Sequence, residues 1–211
     1  MRNALLLSVA LLSSSCATTT TTSFLNDDVY AAHFAEAWTA YAALTAAEPP
    51  DRPTSRSRVQ RVLHVEIAAP REAVFALFSD VHQHFGLHPL LRHVVTHDLI
   101  DLDTAVRERR FTAVEDVPIG FGVVLPVETH AVTRIDRARF RYTTESWTDP
   151  ATITRQLFVF RDLGDGVTRV DETITFESTV LLIGTVVDGG ATAHARFMSL
   201  AKQRLEQGGG A

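Results

Sequence analysis

Between Val62 and Asp80 the chain changes its hydrophobic period, and that change fixes a strand running straight into a helix. Leu63, Val65 and Ile67 alternate with His64 and Glu66, the pattern of a half-buried strand. Pro70 ends the strand. Beyond it Val74, Phe75, Leu77 and Phe78 recur at helical spacing, gathered on one side. Pro70 suits the first position of that helix, and Arg71 and Glu72 put charge in its exposed first turn. Asp80 and a histidine-rich run, His82 to Pro89, follow as a second short helix or a loop.

After Pro89 alternation dominates. Strands are expected over 94–102, 106–115, 127–135, 139–147, 152–161 and 168–180. A turn is expected at 116–122. Asp136-Arg137 joins one hairpin, and Gly164-Asp165-Gly166 closes another. With Val62–Ile67 this makes seven strands, connected by hairpins except at the first step. Ile183 to Gln207 is the longest helical stretch, with Val187, Ala191, Ala195, Met198, Ala201 and Leu205 as its apolar stripe. Its last 22 residues would reach about 33 Å, enough to cross a curved sheet. The pattern predicts an α+β helix-grip fold, a curved antiparallel sheet wrapped around the C-terminal helix.

The order of strand, proline, short aromatic helix, Asp80 and further proline resembles the opening of the START-like (SRPBCC) superfamily, which includes the polyketide cyclase/dehydrase-like proteins. The resemblance covers residues 57–207. It implies a cavity between sheet and helix for an apolar ligand, such as a lipid, sterol, polyketide or aromatic compound.

The N-terminus has a different character. Arg2 precedes an apolar run from Ala4 to Leu12, too short to span a bilayer, and Ser13-Ser14-Ser15-Cys16 follows. This resembles a bacterial lipoprotein signal, with 1–15 as signal peptide and Cys16 as the acylated residue, although Ser13 stands where such signals carry Leu. Cys16 is the only cysteine, so no intramolecular disulfide exists. The expected location is the periplasm, anchored to a membrane (the outer rather than the inner), with soluble secretion as the alternative. Residues 16–23 read as a Thr-rich tether. Residues 24–56 read as an amphipathic helix, with Tyr30, Phe34, Trp38 and Tyr41 on one face, and a proline-rich linker. That helix packs on the domain, covers the cavity as a lid, or touches the membrane. Residues 208–211 are a tail.

Strand parity nominates the site. Glu172 shares a face with Val170, Ile174 and Phe176, so a core-facing strand carries a carboxylate inward. A buried carboxylate needs a partner or a raised pKa. Phe140, Tyr142 and Thr144 share a face opposite Arg139 and Arg141. The cavity candidates are therefore His130, Phe140, Tyr142, Thr144, Glu172, Ile174 and Phe176 from the sheet, and Ala191, Ala195 and Met198 from the helix. The alternative for Glu172 is a structural ion pair with a neighbouring arginine at a sheet edge.

Five of the nine histidines fall between His82 and His97. Their spacing matches no zinc motif, and the run reads as a solvated loop at the cavity rim, with no metal and no cofactor implied. No Gly-x-Ser-x-Gly elbow or phosphate-binding glycine loop occurs. The formal charge of −5, a single lysine and the lack of a basic run exclude nucleic acid as a partner. The expected partners are a hydrophobic small molecule and a membrane. Binding, sequestration or transfer requires no catalytic constellation, which suits this sequence. The alternatives are a cyclase/dehydratase-like enzyme, in which Glu172, Tyr142 and His130 converge, and a structural envelope protein with a filled interior.

Overall fold

The computed structural model describes residues 24–47, 56–120, 123–148 and 152–208. The expected signal peptide, tether, proline-rich linker and last tail residues lie outside these. The order is α1 (Asp27–Ala47), β1 (Arg56–Ile67), α2 (Arg71–Ser79), a 3-10 turn (Val81–His84), β2 (Leu91–Asp101), β3 (Val106–Gly120), β4 (Val123–Asp136), β5 (Arg141–Thr148), β6 (Thr152–Gly164), β7 (Val167–Thr179) and α3 (Ile183–Gly208).

All seven strands form one curved antiparallel sheet in the order β1-β7-β6-β5-β4-β3-β2. Hairpins build it from β2 to β7, and β1 closes the far side by pairing along its whole length with β7. Gly164 and Gly166 hold positive φ (86° and 71°) in the β6–β7 turn, where a side chain would be strained. β3 and β4 stay paired as far as Gly120 and Val123, so the turn expected at 116–122 is mostly strand.

α2 and α3 fill the concave face. Phe75 and Phe78 of α2 meet Phe160 edge-on, and Phe78 reaches Phe197 of α3 at 5.1 Å. Ile67, Val74, Val170 and Ala201 complete this core with no exposed surface. At 26 residues α3 is about 39 Å long and crosses the sheet. Gly190 allows its close approach, since a Cβ there would stand 2.5 Å from the Phe176 ring.

α1 lies on the convex face. Asn26 Oδ1 accepts the Asp28 N–H at its start. Tyr30 packs with Val95 and Val114, and Tyr41 with Trp147 and Ile153. Its phenol bonds Glu145 and Arg155. The helix thus packs on the sheet's outer face, away from the interior cavity. Parity places Glu177 on that outer face, where Arg56, Arg58 and Arg155 enclose it at 2.8–3.0 Å.

Candidate functional site

The concave face retains a cavity of about 120 Å³, between the middle of the sheet, the 3-10 turn region and α3. Tyr142, Thr144 and Ser146 of β5, Gln156 and Phe158 of β6, Glu115 of β3 and Thr129 of β4 line one side. His84, His88, His194 and Phe197 line the other.

Behind His194, and outside the cavity lining, lies Glu172, fully buried on β7. Its partner is not an arginine. Oε1 lies 2.8 Å from Nδ1 of His194, which α3 carries across the sheet. The contact is off the hydrogen-bonding axis, so both carboxylate oxygens and His194 Nδ1 lack an aligned partner. Groups of this kind cost stability unless something answers them. His194 Nε2 faces the Gln156 amide at 3.5 Å.

Two more imidazoles flank the pair. The His88 ring stands edge-on to His194 at 5.7 Å, its Nδ1 unbonded and 3.7 Å from Glu115 Oε1. His84 donates from Nε2 to the Phe78 carbonyl at 3.0 Å and lies 4.4 Å from Phe197. Burial pushes His88 down to about 3, helped by repulsion from His194 and His84. Burial likewise lowers His84 to about 4, against its bond to the Phe78 carbonyl. His194 goes the other way: burial opposes its charge, but Glu172 and Glu115 outweigh that and raise it above 6.5. Burial also raises Glu115, and burial with the nearby Glu172 raises Tyr142 well above 10. One imidazole is thus set up to carry charge beside two that resist it.

The sequence candidates divide. Tyr142 and Thr144 line the cavity, and Glu172 lies outside the lining, in contact with His194. Met198 is buried in the main core beside Phe197. Ile174 and Phe176 face inward but pack with Val187, a cluster away from the cavity lining. Ala191 is half-buried, and Ala195 is exposed on the solvent side of α3. The buried stripe runs instead through Val187, Ala193, Phe197, Met198 and Ala201, with His194 half-buried beside it, and Ala195 lies off it. Phe140 sits at positive φ in the β4–β5 turn, against Phe75, with the Arg71 guanidinium 3.9 Å over its ring. His130 points to the convex face, bonded to Thr112 at 2.9 Å beneath Phe34. Glu172, Tyr142 and His130 therefore do not converge, because the sheet separates His130 from the other two.

The histidine run is not a solvated loop. His84 and His88 turn into the cavity, whereas His97 joins Thr112 on the outer face and His93 stacks on Phe24. Among the described residues no group of three metal-ligating side chains is placed to hold an ion.

No family model and no curated protein matches this chain. Solved structures do. The 18 kDa protein CC1736 of Caulobacter crescentus superposes with a TM-score of 0.58 at 21% identity, over 72% of this chain and 99% of its own. The Zhui aromatase/cyclase from Streptomyces sp. R1128 gives 0.55 at 16%, over 74% and 100%. A START superfamily protein from Mycobacterium smegmatis gives 0.52 at 18%, over 70% and 97%. The fold is the START-like helix-grip fold. The shared part is smaller than this chain.

Proposed function

We propose that this chain binds a compact apolar molecule bearing a hydroxyl group, held in the cavity between sheet and α3 for sequestration or transfer. The observation that carries this reading is the Glu172–His194 pair: His194 lines the cavity, and Glu172, fully buried behind it, has no aligned donor on either oxygen. The polar lining groups His88, His194 and Gln156 meet the ligand hydroxyl, with Glu172 holding His194 from behind, while Phe158, Phe197 and Tyr142 receive an apolar body. The volume of about 120 Å³ suits a single ring, because an apolar cavity of about 150 Å³ is known to take benzene. A lipid or sterol requires the rim to open. The N-terminal run ending in Cys16 supports a periplasmic, membrane-tethered carrier.

A second reading is an acid–base enzyme on a hydrophobic substrate, related in chemistry to the cyclases. It is favoured by His194, which Glu172 and Glu115 raise against burial, beside His88, which burial lowers to about 3, in one enclosed space.

Native mass spectrometry of the chain purified from its own host tests the binding reading. A co-purifying adduct of small mass, lost in Glu172→Gln, supports it. A ligand-free protein that also ignores added phenols and aliphatic alcohols leaves only the structural alternative. Turnover of an added substrate by the wild type, abolished in His194→Gln, decides for the enzyme.

A further inference from the structure

The two edges of the sheet differ in surface chemistry. One is formed by the starts of β1, β2, β4 and β6 and the ends of β3, β5 and β7. There the β3–β4 hairpin continues to Gly120 and Val123, past the last pairs of its neighbours, Leu91 with Glu115 and Thr129 with Thr148. Residues 123–125 on this hairpin are 45–50% exposed. Residues 180–182, leading into α3 from the same edge, include Leu181 at 93% exposed. Phe24, 44% exposed, stacks on His93, which pairs with Val114 near that edge.

No charge occurs from Val117 to Val127 or from Ser178 to Val187. The opposite edge also exposes Leu99, Leu102 and Leu163, but they alternate with charges, including the Arg107–Asp101 and Arg110–Asp98 pairs. On the first edge the Arg92–Asp116 pair lies at the base of the protruding, charge-free segments, and Leu91, Glu115 and Thr129 of the cavity lining lie near it.

We propose that this edge rests on the surface of a zwitterionic lipid bilayer, with the residue 123–125 and 180–182 side chains inserted among the lipids. Exposed apolar side chains grouped in this way are costly in water and mark a contact surface. The choice of occupant follows from where the chain comes in. Seven residues separate Cys16 from Phe24. A lipid attached at Cys16 would hold Phe24 within about 28 Å of the bilayer. Phe24 lies at this edge and not the other. The neighbouring Asp27 and Asp28, both exposed, oppose anionic headgroups and favour neutral ones. Among the described residues no helix is long and apolar enough to cross a membrane, so the contact is superficial.

The proposal is independent of what occupies the interior, and so is its test. Leu181→Cys, Val124→Cys and, at the opposite edge, Leu102→Cys are each made in the full chain, labelled with an environment-sensitive fluorophore, and mixed with phosphatidylcholine vesicles. The wild type, whose only cysteine is Cys16, is labelled in parallel as the blank. Emission from 181 and 124 is expected to shift to the blue and to be quenched severalfold by spin-labelled lipid, while 102 stays unchanged. Equal responses at all three positions overturn the proposal. So does a response at 181 and 124 that appears only with anionic lipid, or one that appears without vesicles as the protein concentrates and self-associates.

Discussion

His88→Leu should make the protein less sensitive to mild acid. In the wild type His84 and His88 are held neutral inside the fold, with pKa values of about 4 and about 3. An unfolded histidine titrates near 6.5, so between 6.5 and those values the unfolded chain binds protons that the folded chain refuses. Stability from these two groups is complete above pH 6.5 and is lost as pH falls. At pH 5 each has withdrawn about 2 kcal/mol, or about 4 kcal/mol together, a large part of an ordinary folding free energy. His194, raised above 6.5, has the opposite sign: its contribution is complete below 6.5 and lost as pH rises through its folded value. It therefore acts outside the window from 6.5 to 5. Glu115, also raised, regains stability as pH falls, but equally in wild type and variant. Leucine at 88 removes one acid-labile group and leaves no polar atom unpaired, because His88 Nδ1 has no hydrogen-bond partner. Calorimetry between pH 7.5 and 5 should show a melting-temperature drop smaller by about 4–8 °C in the variant, at about 2–4 °C per kcal/mol. Parallel curves for the two proteins would refute the view that His88 is kept neutral inside the cavity.

Gly190→Ala drives a methyl group into the buried Phe176 ring and should cost about 1–3 kcal/mol. Its neighbour Gly189 has open space around it, so Gly189→Ala should gain up to about 1 kcal/mol, and thermal melts should move in opposite directions. Tyr41→Phe removes the bonds to Glu145 and Arg155 that pin α1 to the sheet and should cost about 1–2 kcal/mol. In the wild type, burial and Glu145 push this phenol up to about 12, which an absorbance titration of tyrosinate will detect as a late step. Met198→Asp leaves an unpaired charge in the core under α3 and should cost about 3–5 kcal/mol by denaturant titration; a cost below 1 kcal/mol would mean that α3 does not close the sheet.

The strands and the gripping helix were legible because one face of each is buried and the other wet. Leu63, Val65 and Ile67, or Val170, Glu172, Ile174 and Phe176, reveal their facing by parity alone, and Glu172 is inward as parity requires. Its partner was hidden by chemistry. A polar residue on an apolar stripe is easily passed over, yet His194 lies three and four residues before Phe197 and Met198, the spacing of a helix face. His130, expected in the cavity, was misplaced for another reason. α1 covers the outer face of β4, so both faces are partly buried and alternation loses its meaning there. His84 ends a short 3-10 turn and His88 follows it, with no period to read, and only the fold brings them to α3. The hairpin tip was taken for a turn because proline and glycine interrupt its pattern, although the backbone stays paired through them.

Titration with 4-ethylphenol, followed through the imidazole nuclear magnetic resonances of His194 and His88, tests the central claim most directly. This ligand has a single ring, one hydroxyl and about nine heavy atoms. A dissociation constant of about 10–100 μM, or about −7 to −5.5 kcal/mol, lies within what so small a molecule can reach. The resonances of both histidines should move together and saturate, and Glu172→Gln should weaken binding about tenfold or more. If saturating ligand leaves His194 and His88 unmoved, or if Glu172→Gln binds as the wild type does, the cavity is not a ligand site.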